Sequence, residues 1–521
     1  MNIRVANPTP PLGGSTSDGG DFPRIDSRPH AVVIGSGFGG LAAAIRLSVR
    51  GYRVTVLEKQ DGPGGRAYVY RQDGHTFDAG PTIITAPFLL EELWQLCGRR
   101  FEDDVDLRMM APFFRIRFDD GETFDYTGDP DQMRAQVARF SPSDVAGYER
   151  FLKKSERAYK MGYLDLGLKP FTGLGDLFRA VPQMLKMQGM RSLHSLVRAH
   201  VKDPRIQTVM SFHPLLIGGN PYSVTAVYAL ISYLEQRHGV FSVMGGTGAL
   251  VNAMCELMRS QGAELRLNTE VDEILVEGGR ATGVRLRTGE RIPADIVVSN
   301  ADAAWTYRHL LPPSARRVWT DRKVERSSFS SGLFVWYFGT KRRYEDVPQH
   351  SILLGPRYRG LLDDIFKHHT LADDFSLYLH RPTELDESLA PDGCDTFYAL
   401  VPVPNLRSGT DWSRYAEVLR QRVEQRLANT VLPGLGSSLT TSRVMTPADF
   451  ESRLLAYEGA GFSFEPIMTQ SAWFRPHNES EDVEGLYLVG AGTHPGAGVP
   501  GVITSAKVLD KVVPPVSAFS Q

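Results

Sequence analysis

Glycine residues recur at fixed intervals near both ends of the chain, in patterns that let a backbone approach phosphate groups. The first group is Gly35-Ser36-Gly37-Phe38-Gly39-Gly40, and Glu58 lies further along the chain. The second group extends over residues 490–501. In a Gly-x-Gly-x-x-Gly pattern the glycines allow a tight turn, close approach to a pyrophosphate and close packing of a helix on a strand. We therefore expect both ends of the chain to contribute to one dinucleotide site.

The residues around the first glycine group predict the βαβ unit that such a site needs. Residues 31–34 are typical of a buried strand, 41–50 of a helix and 53–57 of a second strand that ends on Glu58. The free N–H groups at the helix start favour phosphate, and Glu58 can accept hydrogen bonds from ribose hydroxyls. A purely structural glycine turn is the alternative, but it does not explain Glu58 at the end of the second strand.

The residues after Glu58 resemble the FAD-binding opening of the flavin amine oxidase and phytoene desaturase superfamily. Lys59-Gln60-Asp61-Gly62-Pro63-Gly64-Gly65-Arg66 carries the Gly-Gly-Arg of that opening, and Asp78-Ala79-Gly80-Pro81-Thr82 resembles the next segment, which lies near the flavin. The resemblance implies that the Gly64-Gly65 backbone passes close to FAD and that Arg66 helps to hold its diphosphate. A surface arginine after a turn is the alternative for Arg66.

The carboxyl-terminal run 490–502 resembles the signature of bacterial-type phytoene desaturases. Stretches at 212–221, 244–250, 355–358 and 374–380 are also similar to that family. The resemblance implies an FAD site composed of Gly35, Ser36, Gly37, Phe38, Gly39, Gly40, Glu58, Lys59, Gly65, Arg66, Pro81, Thr82, Val271, Asn300, Gly490, Gly492, Thr493, Gly498, Val499, Pro500 and Gly501. Within this set, Val271 matches the position whose backbone meets the adenine.

The pattern of elements predicts an α/β fold with a discontinuous Rossmann-type FAD-binding domain. Further strands are predicted at 264–267, 271–276, 282–286, 295–299, 330–340, 375–380, 396–401 and 486–489. We expect the FAD-binding domain to comprise 29–105, 240–310 and 470–515. The intervening residues 106–239 and 311–469 would form an α+β substrate domain.

The resemblance implies FAD-dependent desaturation of phytoene, in several steps, towards neurosporene or lycopene. Each step removes two hydrogens from adjacent carbons of the polyene, and a hydride goes to flavin N5. Because the developing positive charge is delocalised along the triene, the remaining proton is acidic and a strong base is unnecessary. Candidates for handling this proton are Asp144, Arg150, Glu235 and His494. Asp144 also suits a helix start, and His494 could instead position the flavin loop.

Other functions stay open at this point. A sister enzyme could act on a modified carotene, on a diapo-substrate or as a carotene isomerase. Prenyl-lipid escort proteins share the fold without flavin, but the intact Gly-Gly-Arg and the glycine-rich carboxyl end argue against that role. No second Gly-x-Gly-x-x-Gly opens a βαβ unit, so we expect oxygen or a quinone, rather than a resident nicotinamide, to reoxidise the flavin.

Residues 169–205 combine basic side chains with apolar ones, and many of the apolar positions recur at three- and four-residue steps. The basic residues are Lys169, Arg179, Lys186, Arg191, Arg198, Lys202 and Arg205. This composition suits short helices on an anionic membrane surface, and a cap helix packed on the sheet is the alternative. No stretch of the sequence is long and apolar enough to span a bilayer. We therefore expect a cytoplasmic protein that lies peripherally on the inner face of the cell membrane.

Composition narrows the remaining classes of function. Lys and Arg number 58 and Asp and Glu 60, a net charge of -2, so no global field favours nucleic acid. Cys97, Cys255 and Cys394 match no metal spacing, and we expect no metal site. Residues 1–28 are rich in Pro, Gly, Ser and Asp and are predicted to form a disordered tail.

Aromatic residues of the predicted strands could wall a tunnel for the polyene or could pack in the core: Trp336, Tyr337, Phe338, Tyr378 and Phe397.

Overall fold

A five-stranded parallel sheet carries the glycine-rich segments. The computed structural model describes residues 28–519 apart from 174, 179–180, 183–186 and 188, so the predicted tail lies outside the described residues except for Arg28. The strand order across the sheet is Leu486–Leu488, Ile296–Ser299, His30–Ile34, Arg53–Leu57 and Glu264–Arg266. All four pairings are parallel. Strands from both ends and the middle of the chain therefore meet in one sheet.

The two faces of this parallel sheet are covered by different layers. Val33, Val56 and Val298 face a helical layer formed by Phe38–Val49, Phe88–Leu96, Thr247–Ser260 and Val499–Val512. Val32, Leu57 and Val297 alternate with them and face an antiparallel sheet formed by Val271–Glu277, Arg280–Leu286 and Arg291–Pro293. Because strands buried on both faces need apolar side chains at every position, the sequence runs there are almost continuously apolar. The predicted α/β, Rossmann-type fold is confirmed.

A mixed seven-stranded sheet forms the second half of the molecule. Its strand order is Leu439–Met445, Gly332–Thr340, Asp395–Val403, Leu377–His380, His350–Leu353, Phe114–Arg117 and Thr123–Tyr126. The pairing of His350–Leu353 with Phe114–Arg117 is parallel, and the other pairings are antiparallel. The helix Trp412–Thr430 covers one face through Trp412, Leu419 and Val423. The opposite face of the seven-stranded sheet is turned to the parallel sheet.

Helices and short strand pairs complete the chain. Further α-helices are Pro130–Phe140, Val145–Ala158, Leu193–Arg198, Pro204–Ser211, Leu230–His238, Ala303–Trp305, Asp321–Arg326, Tyr358–Asp363, Leu435–Ser438 and Pro447–Leu454. The π-helices are Tyr159–Leu166, Thr306–Leu310 and Asp364–His368. Two small antiparallel pairs join Val69–Gln72 to His75–Asp78 and Leu107–Met109 to Phe241–Val243.

The basic, apolar segment 169–205 divides into two parts. Its last helix, Leu193–Arg198, buries Leu193, Leu196 and Val197 in a core cluster, as a cap helix does. Its earlier part exposes Phe178, Val181 and Met190, at 73%, 42% and 66% of their surface. Arg179 and Lys186, on which the sequence argument also relied, lie outside the described residues.

Candidate active site

A cavity of about 480 Å³ lies between the parallel sheet and the seven-stranded sheet. One end is bordered by the glycine-rich segments and by charged residues such as Glu58 and Arg66. The other end is lined mainly by apolar side chains, and we call it the apolar arm: Leu215, Leu216, Ile217, Val227, Leu230, Ile231 and Leu234. The cavity thus joins a polar cradle to an apolar channel.

The first glycine group forms a tight link between strand and helix. Gly35 adopts a φ of +87°, a conformation that L side chains rarely adopt, and its amide donates to the Leu57 carbonyl at 2.8 Å. A Cβ on Gly40 would lie 2.0 Å from the Gly35 carbonyl oxygen. The helix Phe38–Val49 can therefore begin directly above the strand end only because Gly40 has no side chain.

The side chain of Asn300 lies between the two glycine groups. A Cβ on Gly37 would come within 2.8 Å of its Nδ2, and Cβ atoms on Gly39 and Gly490 would come within 2.6 and 2.9 Å of its Oδ1. The Asn300 amide itself donates to the Ile34 carbonyl at 2.8 Å. Sequence reasoning included Asn300 in the site, but it did not foresee that this residue contacts both ends of the chain.

The carboxylate of Glu58 is held in place from two sides. Its Oε2 accepts hydrogen bonds from the Ser36 amide at 2.8 Å and from the Ser36 hydroxyl at 2.7 Å. Its Oε1 accepts from the Gln60 amide at 2.9 Å. The residue is 5% exposed and lies on the cavity wall. Such a fixed acceptor suits a sugar hydroxyl.

Arg66 and Asp302 form a loose ion pair at the cradle. Arg66 Nη2 lies 3.9 Å from Asp302 Oδ2, and neither atom has a hydrogen-bond partner within the described residues. Arg66 Nε donates to the Gly461 carbonyl at 2.9 Å, which fixes the guanidinium at the wall. Burial lowers the pKa of Arg66 and raises the pKa of Asp302, and each charge partly offsets the shift of the other. The unused donor of Arg66 is available for an anionic group.

The second glycine group forms the loop and first turn of the last helix. Gly498 has a φ of +92° and precedes the helix Val499–Val512, and a Cβ on Gly501 would lie 2.5 Å from the Gly496 carbonyl oxygen. The buried side chain of Arg475 supports this loop, since its Nη2 donates to the Ala491 carbonyl at 2.7 Å. Sequence reasoning did not single out Arg475.

Most of the residues predicted to bind the cofactor lie on the wall of the cavity. They are Gly35, Gly37, Phe38, Glu58, Lys59, Gly65, Arg66, Pro81, Thr82, Val271, Asn300, Gly490, Gly498, Val499, Pro500 and Gly501. Five others lie behind the wall: Ser36, Gly39, Gly40, Gly492 and Thr493. Their contacts explain this, since Ser36 holds Glu58 and the Thr493 hydroxyl donates to the Pro476 carbonyl at 2.7 Å. Ser36 and Thr493 thus support the residues of the wall from behind.

The four candidates for proton handling separate into two groups. Asp144 is buried away from the cavity wall and accepts hydrogen bonds from the amides of Lys202 and Asp203, at 3.0 and 2.8 Å. Arg150 is exposed on the helix Val145–Ala158. Glu235 and His494 do lie on the wall, and burial lowers the pKa of His494 to about 3, which leaves its imidazole neutral. The structure therefore places Glu235 and His494 on the cavity wall, and not Asp144 or Arg150.

A chain of hydroxyl and imidazole groups leads from the cavity into the seven-stranded sheet. Thr82 Oγ1 lies 3.1 Å from the Tyr378 hydroxyl and 2.9 Å from the Tyr398 hydroxyl. The Tyr378 hydroxyl lies 2.5 Å from His350 Nδ1, and His350 stacks on His380. Burial lowers the pKa of His350 to about 3. Sequence reasoning identified Thr82 and Tyr378 but missed the histidines, which are far apart in sequence and meet only through strand pairing.

The predicted aromatic tunnel is only partly present. Tyr378 lies on the cavity wall, whereas Trp336, Phe338 and Phe397 pack under the helix Trp412–Thr430 on the opposite face of the sheet. Tyr337 points to the cavity side but donates its hydroxyl to the Ala79 carbonyl at 2.6 Å, behind the wall. For these four residues the core-packing alternative holds, because successive side chains of a strand point to opposite faces.

Comparison with known proteins identifies the family. Residues 38–508 match the family described as flavin containing amine oxidoreductase. The chain belongs to this family. It is 52% identical over 490 residues to the phytoene desaturase (neurosporene-forming) of Cereibacter sphaeroides, covering 93% of this chain and 94% of that protein. It is 49% identical over 480 residues to the phytoene desaturase (lycopene-forming) of Pseudescherichia vulneris, covering 91% and 97%.

Solved structures of other proteins share the fold. An oxidoreductase from Methanosarcina mazei superimposes with a TM-score of 0.61 at 18% identity, covering 92% of this chain and 100% of that one. A putrescine oxidase superimposes with a TM-score of 0.62 at 14% identity, covering 93% and 99%. At these identities the likeness shows the fold alone. The predictions of the family, of an oxidoreductase and of FAD as the cofactor are confirmed.

The cradle fits FAD on its own contacts. The unpartnered Nη2 of Arg66 can donate to a diphosphate oxygen, and the fixed Glu58 carboxylate can accept from a ribose hydroxyl. The absence of side chains on Gly37 and Gly490 lets Asn300 pack between the two glycine groups at the edge of the cradle. Val271 borders the cavity where the predicted adenine contact would be. Among the described residues there is no group of three or more His, Cys, Asp or Glu side chains that could hold a metal ion.

Proposed function

We propose that this flavoprotein desaturates phytoene in several steps, towards neurosporene or lycopene. Two neurosporene-forming relatives are 52% and 50% identical to the chain, and three lycopene-forming relatives are 47–49% identical. The observation that carries the proposal is the continuity of one cavity from the FAD cradle into the apolar arm. An apolar polyene needs a channel of this kind, with few polar groups.

FAD, when bound, would supply the two-electron oxidation by accepting a hydride. The chain itself has to hold the polyene against the cofactor and to keep water away. The seven aliphatic residues of the apolar arm provide a wall for this purpose. Fixing a flexible chain in one orientation removes much of the entropy cost of the reaction. Catalysis would therefore depend mainly on alignment of the substrate.

The electron acceptor is proposed to be oxygen or a quinone. The sequence contains one Gly-x-Gly-x-x-Gly that opens a βαβ unit, and FAD occupies it in this proposal. Turnover should then require FAD and an external oxidant, and it should not require added NAD.

The substrate is proposed to enter from a membrane surface on the cytoplasmic inner face. The segment that exposes Phe178 and Met190 also contributes Met187 to the cavity wall. The π-helix Tyr159–Leu166 does the same, because Tyr163 lines the cavity and Leu164 is exposed. Exposed apolar residues beside exposed basic residues suit the surface of an anionic bilayer. In the described part of the chain, no helix is sufficiently long and apolar to cross a membrane.

The decisive experiment is incubation of the FAD-loaded protein with phytoene in liposomes, with and without NAD. Chromatography should show successive desaturation products in air without NAD. Absence of any product with phytoene, together with conversion of a diapo-substrate, would favour the sister-enzyme alternative. A strict requirement for NAD would contradict the proposed acceptor.

A further inference from the structure

Two buried polar side chains, Glu235 and His213, meet in the wall of the apolar arm. Glu235 Oε2 lies 3.1 Å from His213 Nε2, and the side chains are 2% and 1% exposed. Glu235 belongs to the helix Leu230–His238, and His213 begins the 3-10 helix His213–Ile217. Both residues line the cavity.

The contact between Glu235 Oε2 and His213 Nε2 is not supported by hydrogen bonds from other residues to these two atoms. Glu235 Oε2 and both ring nitrogens of His213 lack a hydrogen bond to any described residue. Aromatic rings surround the imidazole instead, with Phe212 stacked at 4.2 Å and Tyr126 at 5.2 Å. The buried carboxylate of Asp395, by contrast, accepts from Arg381 at 2.9 Å and from Thr383 at 2.6 Å. A buried carboxylate without such bonds costs free energy, so its presence points to a ligand-directed role.

The other carboxylates of the cavity wall are already engaged. Glu58 is bound by Ser36, Asp302 accepts from the amides of Ala304 and Trp305 at 3.0 and 3.3 Å, and Glu270 accepts from Arg287 at 2.9 Å. All three lie at the cradle. Within the described residues, Glu235 is therefore the carboxylate that the wall of the apolar arm presents to a substrate.

The pair also lies close to the loop that the sequence assigns to the cofactor. A Cβ on Gly498 would lie 3.2 Å from Ile217 Cγ2, so the short helix that begins at His213 ends against this loop. A 3-10 helix rises about 2.0 Å per residue, so His213 lies about 8 Å from Ile217 along this short helix. A long polyene that lies along the arm passes both positions.

We infer that Glu235, held beside His213, accepts the proton that the substrate loses in each dehydrogenation; this rests on the proposed desaturase function. One hydrogen leaves its carbon as a hydride, with the electron pair of its C–H bond, and oxidised FAD is the acceptor. The C–H bond on the adjacent carbon then breaks, its electron pair forms the new C=C bond, and the proton goes to Glu235 Oε2. His213 Nε2, 3.1 Å away, shares that proton. The remaining proton is acidic and needs no strong base, and a carboxylate on the wall of the arm is a sufficient acceptor.

The test compares Glu235→Gln with Glu256→Gln, an exposed glutamate on the helix Thr247–Ser260. We expect Glu235→Gln to keep its FAD content and its phytoene affinity and to lose roughly 100-fold or more in turnover. With phytoene deuterated at the proton-losing carbon, the isotope effect on turnover should rise in Glu235→Gln, because the proton step becomes limiting. Glu256→Gln should match the wild type in every measurement.

Two results would overturn the inference. The first is a Glu235→Gln protein with the turnover and the isotope effect of the wild type. The second is a Glu235→Gln protein that loses FAD or phytoene binding but keeps its turnover per bound substrate, which would show that Glu235 serves packing. If Glu235→Gln does not fold, Glu235→Asp supplies the test, since it keeps a carboxylate and should show a smaller rise in the isotope effect. Failure of the wild type to convert phytoene would instead contradict the proposed function.

Discussion

Ser36 donates two hydrogen bonds to one carboxylate oxygen of Glu58, from its amide at 2.8 Å and from its hydroxyl at 2.7 Å. Ser36 is fully buried behind the cavity wall, whereas Glu58 lies on the wall. The serine between the first two glycines therefore orients the acid that ends the second strand. The glycine pattern and the acid, which look like separate signals in the sequence, form one unit in the structure.

Replacement of Ser36 by alanine tests this relationship. The amide bond to Glu58 would remain, and the hydroxyl bond would be lost, at a cost of about 1 kcal/mol. We expect the dissociation constant for FAD to rise roughly 5-fold, with little change in the folded structure. Fluorescence titration of the apoprotein with FAD measures this change. Ser437→Ala, at an exposed position, is the control, and equal affinities of the two variants would contradict a positioning role for Ser36.

Replacement of Gly37 by valine tests the FAD cradle. A Cβ there would come within 2.8 Å of Asn300 Nδ2 and would fill space beside the proposed diphosphate site. We expect the purified variant to contain almost no flavin, as measured by its absorption spectrum. Gly173→Val is a matched control, because nothing lies within 4 Å of a Cβ at that position. Full flavin occupancy in Gly37→Val would refute the cradle assignment.

Particular elements show what the sequence could and could not predict. The strand Arg53–Leu57 has its predicted bounds, because the acid Glu58 directly after the apolar run marks the end of the strand. The first helix begins at Phe38 instead of residue 41, since Gly39 and Gly40 pack inside its first turn. Successive side chains of the strand Gly332–Thr340 point to opposite faces of the sheet. Only the packing of the two sheets decides which of these faces meets the cavity. The contact of His213 with Glu235 depends on the packing of two separate helices, which no local pattern encodes.

Glu465 should make the stability of the protein depend on pH. It is 6% exposed, the Ser223 hydroxyl donates to it at 2.8 Å, and burial raises its pKa to about 7. Because the folded-state pKa lies above the unfolded value, the native state binds the proton more tightly. The stability from Glu465 is therefore full below pH of about 4.5 and is lost as the pH rises through about 7.

Urea unfolding of the wild type and of Glu465→Gln across this range measures the effect. The glutamine keeps an acceptor for Ser223 but does not ionise. The unfolding free energy of the wild type should fall relative to that of the variant by up to about 3 kcal/mol between pH of about 4.5 and 7. Parallel curves for the two proteins would show that Glu465 does not titrate in this window.

Exposed apolar residues near the cavity should control binding to liposomes. Phe178→Glu combined with Met190→Glu places two acids on the surface that is proposed to meet the bilayer. We expect weaker sedimentation with anionic liposomes and slower conversion of liposomal phytoene, with unchanged FAD content. Tyr415→Glu is the control, since Tyr415 is 46% exposed on the helix Trp412–Thr430. Equal sedimentation of the two proteins would favour a cap-helix role for the segment.

Replacement of Asp144 by alanine should destabilise the protein without removing its chemistry. The Asp144 carboxylate accepts from the amides of Lys202 and Asp203, and the alanine leaves both amides unpaired. Bonds to a charged acceptor suggest a loss of about 2–3 kcal/mol in the free energy of unfolding. Since Asp144 lies away from the cavity wall, turnover per bound FAD should remain measurable, whereas loss of a proton acceptor typically costs roughly 100-fold or more. Unfolding curves and turnover at matched flavin content separate the two effects. A folded, flavin-loaded Asp144→Ala protein without activity would show that Asp144 takes part in the reaction, and it would weaken the proposal that Glu235 accepts the proton.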